Sequence, residues 1–303
     1  MEISVQQHLL PAVVILSMIT VGMELRLGQF KTLLAAPRSA ILGTLIHTFS
    51  FPAVAAVLVL LITGLGLPVA DATLAGVLLI AACPSGGFSN VLVLMARANL
   101  PLSIILTAVS SILAFATVPL LIAVFALFLT DLDQPVDLPV ASTLVQLVVL
   151  ILVPISVGMA LRHRWPLWID RHLRRLQTTG QLFLYVAVTL LIFENFSVVA
   201  RYAYDALPWS IALCAINMLV CYQAARFFGL DIEDRVTIAL EGSIRNLAIA
   251  LLIAVNVLER MDIAVLPTVY FISVLVLAIS FAKLWRLIIP IPDARTDARP
   301  DAG

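Results

Sequence analysis

Long apolar runs fill this chain, and short polar clusters separate them. The runs lack the ten-residue alternation of an outer-membrane barrel, so they read as helices. Nine membrane spans are predicted, at about 9–25, 39–62, 72–96, 101–130, 139–161, 179–200, 207–228, 235–258 and 263–289. Each reaches roughly the 17–25 residues a crossing helix needs, some with extra length for tilt. Thr63-Gly64-Leu65-Gly66-Leu67-Pro68, Asp131-Leu132-Asp133-Gln134-Pro135 and Ala206-Leu207-Pro208 punctuate the connections. Residues 290–303, rich in Pro, Asp and Arg, read as a disordered cytoplasmic tail.

Two polar stretches fall inside apolar runs: Cys83-Pro84-Ser85-Gly86-Gly87-Phe88-Ser89-Asn90 and Glu241-Gly242-Ser243-Ile244-Arg245-Asn246. Non-helical backbone at membrane depth survives only where protein or a water-filled cavity satisfies it. A pair of interrupted spans, one in each half of a chain, points to the binding site of a secondary transporter. Pro84 removes a backbone donor and Gly86-Gly87 has little helix propensity, so the third span should unwind there. The freed carbonyls could meet a cation and the freed amides an anion, with Ser89 and Asn90 adding side-chain oxygens; a kink that serves packing alone is the other reading.

Composition sharpens the class. Of 303 residues, 62% are hydrophobic and 12% charged, against about 25% charged in a soluble domain. The first eight residues carry no Lys or Arg, so the first run reads as a retained span and not a cleaved signal. Cys83, Cys214 and Cys221 have neither metal-ligand spacing nor a disulfide framework and read as small core residues. No zinc-protease, phosphate-loop or nucleophile-elbow motif is present, so the chain reads as no enzyme and implies no organic cofactor. The zero net charge hides a bias: fifteen of the eighteen Lys and Arg residues fall on one side of the nine spans. Arg201 and Arg260 lie on the other side with Asp131, Asp133 and Asp137, which puts the N-terminus outside and the C-terminus in the cytoplasm of an inner (plasma) membrane. This topology accounts for the basic stretch from Arg162 to Arg175, so nucleic acid need not be invoked. The eighteenth basic residue, Arg245, falls mid-span.

A charged residue at a helix centre costs about 2.5–3.5 kcal/mol to insert. Glu241 and Arg245 are spaced i, i+4 with the acid first, which suits an ion pair, but Gly242 and Ser243 between them argue against an intact turn. Ser103 and Thr107 share one helix face, followed by Ser110 and Ser111. Such hydroxyls can ligate a hard cation, bond their own backbone or join helices. His47 reads as a satisfied core residue or a proton switch. Glu194 could line the outer mouth of a cavity or sit at the headgroup level.

The stretch Cys83 to Asn90, followed by Asn99-Leu100-Pro101-Leu102-Ser103 and Thr107, resembles the signature of the bile acid:sodium symporter family. So does Gly22-Met23-Glu24-Leu25 leading into Phe30-Lys31 and Pro37-Arg38, and Glu241 to Asn246 falls at that family's second crossing motif. The resemblance implies an all-α integral membrane protein of two inverted repeats. Its core domain would hold two crossing unwound helices beside a smaller panel domain, here in a nine-helix variant. It implies one Na⁺ site of Ser89, Asn90, Ser103, Thr107 and Glu241. The family's second site uses Gln where this chain has His47 and Arg245, with Gly242 and Ile244 as backbone contributors and Glu241 shared.

A guanidinium has no lone pair to give. It would repel a cation beside it by several kcal/mol even at an effective dielectric of about 20. The second Na⁺ is therefore expected not to bind. Either Arg245 stands in for it and transport couples to one Na⁺, or transport is Na⁺-independent or linked to His47 protonation. The expected substrate cavity comprises Pro84, Gly86, Gly87, Glu194, Ser243 and Asn246. Arg245 and the amide ends of the broken helices should make it electropositive, which favours a small organic anion such as a carboxylate or sulfonate. A ligand-binding membrane sensor and a metalloid-anion permease dependent on Cys83 are the competing readings.

Overall fold

The structure, a computed structural model, describes residues 9–25, 37–129, 145 and 148–288. The expected acidic loop at 131–137 and the tail at 290–303 lie outside the described residues. Among the described residues the chain is all helical. In order the helices are α1 (Leu10–Glu24), α2 (Pro37–Gly64), α3 (Asp71–Ala82), α4 (Ser89–Met95), α5 (Leu100–Leu129), α6 (Val153–Arg164), α7 (Pro166–Glu194), α8 (Phe196–Phe227), α9 (Ile232–Ser243), α10 (Leu247–Leu251) and α11 (Met261–Ile288). A π-helical turn, Val148–Leu152, leads into α6, and another, Leu252–Val257, extends α10.

Five of these helical stretches are long and apolar enough to cross a membrane, or six if the bent α5 counts as one span; α1 and α3 are shorter apolar helices. Large apolar side chains face outward, among them Phe49 and Leu60 on α2 and Phe183 and Phe193 on α7. An exterior of this kind suits lipid, since soluble proteins rarely expose contiguous apolar patches. Burial ranks the helices. Within its apolar window the α9–α10 stretch is 94% buried, against 28% for α7, so the interrupted element is central and α7 peripheral.

The two interruptions meet. Backbone N–H of Asn246 donates to the Pro84 carbonyl at 2.9 Å, and a Cβ built on Gly86 would lie 3.4 Å from the Arg245 carbonyl oxygen. Each break thus satisfies groups that the other leaves without a helical partner, which is what backbone at this depth requires. Asn246 also caps α10, its Oδ1 accepting from Ile249 N–H at 3.3 Å.

Around this crossing the helices fall into two packing groups. α1 packs against α6 and α7, while α2–α5 pack with α8–α11. α1 and α6 meet back to back through Gly22 and Gly158. A Cβ on Gly22 would lie 2.1 Å from the Ile155 carbonyl oxygen, and one on Gly158 2.1 Å from that of Ile19. Only glycine permits so close a crossing, the small-residue contact that lets membrane helices associate.

Two details depart from the sequence reading. α5 bends by 61° between Leu100–Ala114 and Ala116–Phe125, where Pro119 removes a donor and crowds the carbonyl four residues earlier. The connection expected at Ala206-Leu207-Pro208 is helical: Pro208 lies inside α8, and the chain turns instead at Asn195. Proline is tolerated within membrane helices because neighbouring groups re-satisfy the freed carbonyl.

Candidate functional site

Glu241 lies in the last turn of α9, fully buried. Ser103 Oγ donates to its Oε1, and Thr107 Oγ1 reaches Oε1 at 3.0 Å and Oε2 at 3.2 Å. The i, i+4 spacing of Ser103 and Thr107 on α5 presents both hydroxyls to the one carboxylate. From α4, Ser89 Oγ lies 3.5 Å from Thr107 Oγ1 and donates to the Gly86 carbonyl at 3.0 Å. The Ser103 hydroxyl also lies 2.8 Å from Asn90 Oδ1, its single proton shared between the amide and carboxylate oxygens. The five side chains expected at a cation site therefore gather from three helices around one acid. Hydroxyl, amide and carboxylate oxygens form the donor set that suits a hard cation.

Helical form continues through Gly242 and Ser243, and the break spans Ile244 to Asn246. Gly242 packs on α8, where a Cβ would lie 2.5 Å from Cys221 Sγ, and Ser243 Oγ bonds back to the Ala239 carbonyl at 2.9 Å. Arg245 is thereby carried past the end of α9, and its hydrogen bonds bypass Glu241. Nη1 donates to the Cys83 carbonyl at 3.2 Å, and Nη2 donates to those of Gly242 at 3.0 Å and His47 at 3.4 Å. The Phe51 ring lies beneath the guanidinium, 4.1 Å from ring centroid to Cζ. Three backbone carbonyls and an aromatic face thus replace the i, i+4 ion pair. His47 is buried, with neither ring nitrogen hydrogen-bonded within the described structure, beside a cavity of about 20 Å³ that Arg245 and Ser110 also line. That space holds about one water. The Cys83 thiol bonds to the Leu79 carbonyl of its own helix at 3.4 Å.

A second cavity, of about 70 Å³, lies between the crossing and helices α1, α7 and α11. Gly86, Gly87 and Asn246 line it, as expected from the sequence. The other expected lining residues lie elsewhere. Ser243 is fully buried behind the crossing, where its carbonyl accepts from the Tyr270 hydroxyl at 2.5 Å. Pro84 borders the smaller His47 cavity. Glu194 ends α7 as an exposed residue at the Asn195 turn, because α7 starts as early as Pro166 and carries that position to its far end. Glu24, Gln177 and Gln181 line the cavity and were not foreseen from the sequence. Only the break of α3 from α4 and the packing of α1 and α7 bring them there. Sequence offered one signal, an acid in the last turn of an apolar helix.

An apolar-surfaced helical bundle with interrupted helices at its centre defines a multi-pass membrane protein. The chain belongs to the sodium bile acid symporter family, whose profile matches residues 11–202. It is similar to an uncharacterized sodium-dependent transporter, YocS, of Bacillus subtilis, with 25% identity over 229 residues covering 76% of this chain and 68% of the relative. It is also similar to the probable chloroplastic sodium/metabolite cotransporter BASS1 of Arabidopsis thaliana, with 24% identity across 89% of this chain and 65% of the relative. Against the hepatic sodium/bile acid cotransporter of Rattus norvegicus the identity is 26%, across 79% and 65% respectively. The chain thus spans about two thirds of the length of these curated relatives.

Proposed function

We propose that this protein is a secondary active transporter that moves a small organic anion across the inner (plasma) membrane by alternating access, driven by one Na⁺. The convergence of Ser89, Asn90, Ser103 and Thr107 on the buried Glu241 carries the reading. Each of these hydroxyls can turn a lone pair toward a cation, and Glu241 balances its charge. Relatives named as a sodium-dependent transporter and as sodium/metabolite and sodium/bile acid cotransporters support the coupling ion.

Arg245 takes the place of a second ion. Its N–H groups occupy the carbonyls of Cys83, His47 and Gly242, the kind of oxygens an alkali cation would require there. A fixed charge in that position supports the crossing without being transported. The amide ends of the broken helices leave partial positive charge at the cavity, which suits a carboxylate or sulfonate. At about 70 Å³ the cavity is far below the roughly 300 Å³ of the smallest ligand pockets. Substrate entry therefore requires α1, α6 and α7 to move against the remaining helices, as a panel against a core built from two inverted repeats.

Uptake of a labelled keto acid and of a labelled bile-acid conjugate into proteoliposomes tests the reading, with external Na⁺ exchanged for choline. A drop of about tenfold or more in the uptake of either is expected. Uptake indifferent to the exchange would remove Na⁺ coupling and leave the Na⁺-independent or proton-linked alternative.

A further inference from the structure

A cation site can use only one end of an asparagine amide. Asn90 Oδ1 faces Ser103, on the side of Glu241, and its Nδ2 donates to Glu24 Oε1 at 3.4 Å. The single Ser103 proton is shared between Glu241 Oε1 and Asn90 Oδ1, and the hydroxyl's lone pairs accept from an NH₂ equally well, so Ser103 fixes neither end of the amide, whereas a carboxylate only accepts. Glu24 is the neighbour that decides which end points inward. It reaches Asn90 across Gly87, where a Cβ would lie 3.6 Å from Glu24 Oε2, and Gln177 of α7 lines the same cavity. Glu24 and Asn90 also belong to different packing groups, one on α1 and the other on α4.

We propose that Glu24 is a positioning residue for the ion site. It holds the Asn90 amide with its oxygen toward Glu241, and it makes Na⁺ affinity depend on α1 lying against the crossing. The inference rests on the sodium reading above. At 3.4 Å the bond is long, and a small outward movement of α1 breaks it. The amide is then free to turn its NH₂ group toward the pocket, where that group repels a cation. By linkage, an ion that binds better when α1 is docked also holds α1 in place.

The test is a Na⁺ titration of the purified, substrate-free protein followed by thermal shift. Wild type is compared with Glu24→Gln, Glu24→Ala, Asn90→Ala and the double alanine variant, and each sodium-free melting temperature serves as the fold control. Glu24→Ala is expected to raise the apparent Kd for Na⁺ about tenfold, the loss of one hydrogen bond to a charged group. Glu24→Gln keeps an acceptor oxygen at the same reach and should stay within about threefold. In the Asn90→Ala background, Glu24→Ala should add nothing. Equal losses in the Gln and Ala variants that add to the Asn90 effect would mean Glu24 acts through its charge alone, which overturns the proposal, as does an unchanged Kd in Glu24→Ala. A wild type with no Na⁺-dependent shift overturns the sodium reading itself and this inference with it.

Discussion

At the scale of the residue, Glu241 and Arg245 divide the work that a simple ion pair would have combined. Glu241 gathers hydroxyls and Arg245 gathers carbonyls. Glu241→Gln should abolish the Na⁺-dependent thermal shift, because no other carboxylate touches the Ser103 and Thr107 hydroxyls among the described residues. Thr107→Ala should weaken Na⁺ binding about tenfold, on the scale of a hydrogen bond of about 1.5 kcal/mol to a charged group. Arg245→Gln exchanges a fixed charge for an amide oxygen, and its titration should show a second Na⁺ step; a single step would mean the guanidinium had displaced nothing. The residues around Glu241 were legible because their chemistry is written in side chains at fixed spacing. The destination of Arg245 was not, because it binds main-chain carbonyls, which leave no trace in sequence. Glu24 was missed for another reason: its role depends on how α1 packs, and an apolar run does not encode its neighbours.

At the scale of the element, the interruptions were visible from Pro84 and the Gly86-Gly87 pair. The exact end of α9 was not: Asn217 of α8 donates to the Gly242 carbonyl at 2.8 Å, and Ser243 Oγ bonds back to Ala239 of its own helix, with both residues helical. Pro208 misled in the opposite direction, since a proline inside a long membrane helix resembles a turn until its surroundings are known. Two stability changes follow from the packing. Gly158→Ala places a methyl group 2.1 Å from the Ile19 carbonyl oxygen, and α1 must separate from α6. A loss of about 1–3 kcal/mol is expected, read as a lower melting temperature in detergent. Asp205 of α8 caps the start of α3, its Oδ2 accepting from Ala70 N–H at 3.1 Å and from Thr73 Oγ1 at 2.6 Å. Asp205→Ala should cost about 1–2 kcal/mol by the same measurement.

At the scale of the whole molecule, orientation is set by charge. The expected arrangement places the turn after α2 outside and the start of α7 inside. All three native cysteines are buried, so a membrane-impermeant thiol reagent will report an introduced one. Leu65 and Leu167 are 71% and 84% exposed and suit the purpose. In intact cells Leu65→Cys should label and Leu167→Cys should label only after lysis; the reverse pattern would invert the topology. The clustering of Lys and Arg was plain in the sequence, whereas the division of the helices into two packing groups was not. That division depends on which apolar faces meet, and the glycines of α1 and α6 supply it through atoms they lack.

The bond between Asn246 N–H and the Pro84 carbonyl is made wholly of main-chain atoms. Changing the Asn246 side chain leaves its donor in place. The joint at the heart of the molecule can therefore persist while the amino acids around it drift. A lineage built on it could exchange one coupling ion for a tethered cation, or one cargo for another, in single mutational steps without rebuilding its framework.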